Sequence, residues 1–160
     1  MKNYTLIFLT AAAMSFVFSL PEAAMASGGD DWGTSVKTAD PDLVAAQSAI
    51  KGKNWDQAID LLNKAAARDP GNADIHNLLG YGERNRGNLD AAFKEYDIAL
   101  KLNPKHRGAH EYVGEAYLMA GNLPKAEEQL AILDKLCLFR CEEYTDLKAA
   151  IAKYKTEHPQ

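Results

Sequence analysis

Residues 73–106 read ADIHNLLGYGERNRGNLDAAFKEYDIALKLNPKH, and the same outline stands 34 positions earlier and 34 positions later. The earlier block, 39–72, is ADPDLVAAQSAIKGKNWDQAIDLLNKAAARDPGN, and the later one, 107–140, is RGAHEYVGEAYLMAGNLPKAEEQLAILDKLCLFR. Ala58, Ala92 and Ala126 stand one period apart, as do Asn54, Asn88 and Asn122, followed at once by Trp55, Leu89 and Leu123. Gly80 matches Gly114, His76 matches His110, and Pro70 matches Pro104. Self-similarity at a fixed period of this length marks a stacked-repeat architecture, in which each unit buries its apolar face only against its neighbours.

Each block divides into two helical stretches. In the middle block, Ala73 to Arg86 carries Ile75, Leu78, Leu79 and Tyr81 at helical spacing. Gly87-Asn88 ends that stretch, because both residue types tolerate the left-handed turn that closes a helix. Leu89 to Leu102 resumes with Ala92, Phe93, Tyr96, Ala99 and Leu100 on one side, and Asn103-Pro104 stops it. The same reading predicts helices over 41–52, 55–68, 107–120 and 123–136. The small residues Ala46, Gly80, Gly114, Ala58, Ala92 and Ala126 are expected where helices cross closely, and a larger side chain there costs about 1–3 kcal/mol.

Residues 142–156, EEYTDLKAAIAKYKT, predict a further helix with Tyr144, Leu147, Ile151 and Tyr154 along one stripe. A solenoid leaves an apolar face at its end, and a last helix with a polar outer side covers it. The competing reading, a partner-binding or membrane-surface helix, calls for a dense basic face that this segment lacks.

At the other end, residues 1–26 read MKNYTLIFLTAAAMSFVFSLPEAAMA. Lys2, the apolar run from Leu6 to Leu20 and the small-x-small Ala24-Met25-Ala26 describe a signal peptide cleaved after Ala26. An uncleaved membrane anchor is the competing reading, but the run falls short of the roughly 20 residues that span a bilayer. Cleavage removes Lys2 and Glu22 and leaves the formal net charge at −4. That mildly acidic balance argues against a general nucleic-acid or anionic-membrane binder. The expectation is a periplasmic or secreted protein with no stable membrane insertion after cleavage, in a compartment where disulfides persist. Ser27 to Thr38 (27–38) has little to bury and is expected to be flexible, with Trp32 a candidate docking residue.

The 34-residue period, Leu79-Gly80 with Val113-Gly114, the central alanines and the terminal prolines resemble the tetratricopeptide repeat (TPR) over about 39–140. Repeat one departs at Ala45-Ala46-Gln47, and repeat three has Leu138 in place of the closing proline. The resemblance implies an all-α, right-handed superhelical solenoid of three helix pairs (39–72, 73–106, 107–140) within 39–141, plus a capping helix and tail over 142–160. It also implies a concave groove lined by the first helix of each pair. Mapped onto this chain, that groove takes Leu43, Gln47, Asn77, Tyr81, Arg84, Glu111, Glu115 and Leu118. Tyr81 and Arg84, one turn apart, combine residue types common in binding hot spots, and Glu111 with Glu115 makes a negative patch favouring a basic segment. TPR domains that hold the C-terminal carboxylate of cytosolic chaperones use lysines, asparagines and an arginine on these helices. The matching positions here are Leu43, Gln47, Leu78, Gly108 and Tyr112, so that clamp is missing.

Cys137 and Cys141 are the only cysteines. In an oxidising compartment a pair this close forms a disulfide most simply, which requires a helix break near Leu138–Arg140. A redox-active pair, a metal site and free buried thiols are the competing readings. His106 and His110 have the i, i+4 spacing of a metal pair. However, His106 falls in the inter-repeat turn, and His110, like His76, occupies a position where TPRs place a packing residue. His158 lies in the tail.

No G-x-S-x-G, phosphate-cradling glycine loop or H-E-x-x-H occurs. Neither catalytic residue nor cofactor is implied. The chain is also similar to small exported TPR proteins of Gram-negative bacteria that end in C-x-x-x-C-E-E-Y, here Cys137 to Tyr144. Two functional classes result. One is a non-enzymatic protein-binding module of the cell envelope, an adaptor or assembly factor. The other is a redox or metal-handling accessory using the cysteine pair. Self-association through the stacking faces is open to repeat proteins.

Overall fold

A computed structural model of the chain describes residues 40–139 and 141–159. The expected signal peptide and the segment 27–38, with Trp32, lie outside the described residues. Those described form seven helices: α1 Pro41–Lys51, α2 Trp55–Arg68, α3 Ala73–Arg86, α4 Leu89–Leu102, α5 Arg107–Met119, α6 Leu123–Leu136 and α7 Glu142–Glu157. Helices α1/α2, α3/α4 and α5/α6 are the three TPR pairs, and α7 caps an all-α solenoid.

The boundaries follow from local chemistry. Asp40 opens α1 by accepting from the backbone N–H groups of Asp42 and Leu43, with Pro41 in the first turn. Asn72, Asn88 and Asn122 cap α3, α4 and α6 in the same way. His106 caps α5, its Nδ1 accepting from the Ala109 N–H at 3.1 Å. Gly87 and Gly121 close α3 and α5 at φ of 93° and 73°, the left-handed region that suits glycine. Repeat one puts Lys53 at the equivalent position, at φ 56°.

The core is a row of three local clusters. Ala46, Ile59, Leu62, Ala65, Ile75 and Leu79 tie α1, α2 and α3 together. Ala92, Tyr96, Val113 and Ala116 join α4 to α5, and Leu118, Ala126, Leu133, Leu147 and Ile151 join α5, α6 and α7. Each cluster spans only consecutive elements, as a quasi-one-dimensional solenoid requires.

The two repeat glycines serve different neighbours. A Cβ on Gly80 would lie 2.5 Å from Tyr96, the wholly buried aromatic of α4 in the same repeat. A Cβ on Gly114 would lie 2.6 Å from Leu147, in the capping helix. Helix α7 packs chiefly on α5 and less on α6, whereas against the preceding pair α3 and α5 each pack chiefly on its second helix.

His76 and His110 are buried connectors. Each faces the carbonyl of the proline that ends the preceding repeat, Pro70 at 3.1 Å and Pro104 at 3.0 Å. Their Nδ1 atoms reach Glu95 and Gln129 on the second helix of the pair, both at 2.7 Å. The recurrence of these histidines thus joins turn, first helix and second helix in each of two repeats.

Candidate functional site

The first helices α1, α3 and α5 carry the expected groove residues at one-turn intervals: Leu43 and Gln47, then Asn77, Tyr81 and Arg84, then Glu111, Glu115 and Leu118. The structure sorts these eight by depth. Gln47 is exposed, and Leu43, Tyr81 and Glu115 are half-buried. Asn77, Arg84 and Glu111 are buried in the floor. Leu118 is a core residue beneath α7, packed with Leu133, Leu147 and Ile151.

An aromatic row crosses the repeats. Trp55 at the start of α2 meets Tyr81 edge-on with ring centroids 5.8 Å apart, and Tyr81 meets Tyr112 of α5 at 4.8 Å. The Arg84 guanidinium lies over both tyrosine rings, 5.3 and 5.4 Å from their centroids, and its Nη1 donates to a Glu115 carboxylate oxygen. Cation–π contact and a charge-assisted hydrogen bond together hold this arginine in one orientation. Its Nε, the Oδ1 of Asn77 and the hydroxyl of Tyr96 are buried without a hydrogen-bond partner among the described residues.

Glu111 stands one turn before Glu115 on α5. Burial pushes its carboxyl up to about 8, reinforced by the negative charges of Glu115, Asp146 and Glu143 and only partly offset by Arg84. Burial also pushes the Tyr112 hydroxyl up to about 12, helped by the Glu111 charge. Tyr112, Trp55, Glu143 and Asp146 are site residues that the groove mapping did not include. Tyr112 has a visible signal, because it follows Glu111 and lies four residues after Gly108. The two α7 carboxylates belong to no repeat position.

Cys137 and Cys141 form a disulfide with Cα atoms 5.7 Å apart. Cys137 closes α6 and Cys141 opens α7, so the helix breaks where the pair required it to. Leu138 and Phe139, inside this small ring, are almost wholly exposed. Among the described residues, no group of three or more histidines, cysteines or carboxylates is placed to hold a metal. None of the described helices is long and apolar enough to cross a membrane.

The family model for the tetratricopeptide repeat matches this chain twice, over residues 43–100 and 79–135. The chain belongs to the TPR family. Among curated relatives, Hsc70-interacting protein 1 of Drosophila melanogaster is 30% identical over 101 residues, covering 63% of this chain and 26% of that protein. The chain therefore spans about a quarter of the length of that relative. An uncharacterized protein of Haemophilus influenzae is 27% identical over 124 residues, 78% of this chain and 67% of the other.

Solved TPR structures share the fold. PcrH, in complex with the chaperone-binding region of PopD, superposes with a TM-score of 0.66 at 16% identity, covering 78% of this chain and 96% of PcrH. The Yersinia enterocolitica chaperone SycD, in complex with a peptide of the translocator YopD, gives 0.65 at 18% identity over 72% and 91%. The first TPR of Spaghetti, bound to an HSP90 peptide, gives 0.62 at 20% identity over 72% and 93%. At these identities the likeness is one of fold.

Proposed function

We propose that this TPR chain is a non-enzymatic interaction module of the bacterial cell envelope, an adaptor or assembly factor that holds an extended segment of another protein in its concave groove. The observation that carries this reading is the floor around Arg84. Two tyrosines and a carboxylate converge on it from α3 and α5. Aromatic and arginine side chains fixed in one orientation are the residue types that carry binding energy in interfaces. That PcrH, SycD and Spaghetti are each seen with a partner peptide supports the reading by analogy of fold. The envelope setting rests on the leader-like residues 1–26 alone. The redox alternative has less support, because Cys137 and Cys141 are already bonded to each other.

The test is site-specific photo-crosslinking in cells of a Gram-negative host. The crosslinker is placed at Gln47 or Tyr81 in the groove, or at Lys94 on α4 as a control. Discrete adducts from the groove positions and none from Lys94 are expected. Equal labelling from both surfaces would overturn the groove assignment, and confinement of the protein to the cytoplasm would overturn the envelope assignment.

A further inference from the structure

Three side chains in the groove floor are more than nine-tenths buried, with exposures of 7% for Asn77, 8% for Arg84 and 8% for Glu111. Their polar needs are unequal. Arg84 has Glu115 for its charge and two tyrosine faces for its plane. Glu111 has neither hydrogen bond nor ion pair, and the Asn77 Oδ1 is likewise unpartnered. Gly108, one turn before Glu111 on α5, passes the Asn77 side chain closely, since a Cβ there would lie 3.4 Å from Nδ2. The Asn77 Oδ1 is closed to solvent, whereas the Glu111 carboxylate is an idle acceptor next to Tyr112 on α5.

The charges around them explain why the gap persists. Glu111 faces Glu115 on its own helix, Glu143 and Asp146 on α7, and Arg84 on α3. Arg84 is committed to Glu115, and Arg107 reaches Glu143 at 3.4 Å. Among the described residues no cation is paired with Glu111. A buried carboxylate that feels three other negative charges is unfavourable unless it takes up a proton or a positive charge joins it, and no described residue supplies that charge. A metal ion fits poorly, because the described residues offer no cluster of three ligating groups.

We infer that the groove recognises a lysine of the partner segment, its ammonium paired with the Glu111 carboxylate and its alkyl stem lying on Tyr112. This inference rests on the groove reading above and names the chemistry of the partner. An ammonium has three donors, for the idle carboxylate and for water, and its stem covers apolar surface while the charge is paired. Glu111 would repel an acidic segment at the same place, so the site selects by repulsion as well as attraction.

Pools of nonapeptides with blocked ends and uncharged random positions test this, with the central residue fixed as lysine, norleucine or glutamate. Binding to the full chain is read by fluorescence anisotropy. The lysine pool is expected to bind wild type roughly tenfold more tightly than the norleucine pool. Glu111→Gln should erase that preference while leaving norleucine binding unchanged. Adding the lysine pool should also lower the titration midpoint of Glu111, followed by carboxyl carbon NMR on wild type. That second readout needs no variant to fold.

Equal binding of lysine and norleucine pools, lost in Tyr81→Ala, would overturn the lysine inference and leave the groove reading standing. A lysine preference that survives Glu111→Gln would overturn it equally. Binding by no pool, or binding indifferent to Tyr81→Ala, would overturn both.

Discussion

Gly114 and Leu147 meet so closely that a Cβ on the glycine would lie 2.6 Å from the Leu147 Cδ2. That contact seats the capping helix directly on the backbone of α5. Leu147 and Ile151 are thereby buried with Leu118 and Leu133, each worth about 1.5–3 kcal/mol when fully removed from water. Gly114→Ala must displace Leu147, and should cost roughly 1–3 kcal/mol in urea denaturation. Wild-type stability in this variant would show that α7 is not held by this contact.

Lys53 adopts a backbone conformation that its own repeat series assigns to glycine at 87 and 121. A side chain in that region costs on the order of 1 kcal/mol. Lys53→Gly is therefore expected to stabilise the first repeat by roughly 0.5–1 kcal/mol, since the entropy lost to glycine offsets part of the relief. Gly87→Ala should move stability the other way by a similar amount, and equilibrium unfolding of the pair checks both signs.

Glu111 should make stability depend on pH. Its folded value of about 8 lies above the ordinary carboxyl value, chiefly through burial and then through Glu115. The folded state therefore binds this proton more tightly than the unfolded chain. The contribution is fully present below the unfolded value of 4.5, and is lost as pH rises to about 8. Glu111→Gln, which cannot ionise, should remove this part of the slope and leave the variant more stable than wild type near pH 8, by on the order of 1 kcal/mol. Parallel thermal melts of the two proteins from pH 5 to pH 8 would measure it; parallel curves would rule it out.

The Cys137–Cys141 bond closes a very short loop between α6 and α7. Chain entropy gives such a loop roughly 2 kcal/mol. Replacing both cysteines with serine should lower stability by about that amount. Because Leu147 and Ile151 still hold the cap, the protein should stay helical. Circular dichroism with denaturant titration separates the loss of stability from the loss of fold.

The helix boundaries were legible in the sequence to within a residue. Helices predicted over 41–52 and 107–120 end at Lys51 and Met119, and the one predicted over 142–156 reaches Glu157. Caps such as Asn72, Asn88 and Asn122, and breakers such as Gly87 and Pro104, act within a single turn. Reading them needs no knowledge of the rest of the chain. The face of α3 carrying Asn77, Tyr81 and Arg84 was legible for the same reason, since spacing along one helix decides which residues share a side.

Depth and charge were not legible. Leu118, expected to line the groove, shares a cavity with Arg84 and Glu115 but is also packed into the core beneath α7, because that helix docks on α5 through Gly114. Arg84 was expected to pair with Tyr81 as a hot spot, and the sequence did not show that Tyr112 and Glu115 also hold it. The period of 34, the seven helices and their caps are properties of neighbouring residues, and the sequence alone determined them. The burial of Asn77, Arg84 and Glu111, and the carboxylates that Glu143 and Asp146 bring towards Glu111, depend on where a non-repeating helix comes to rest. Only the tertiary structure decided these, because burial and electrostatic energy depend on distances between residues far apart in the chain.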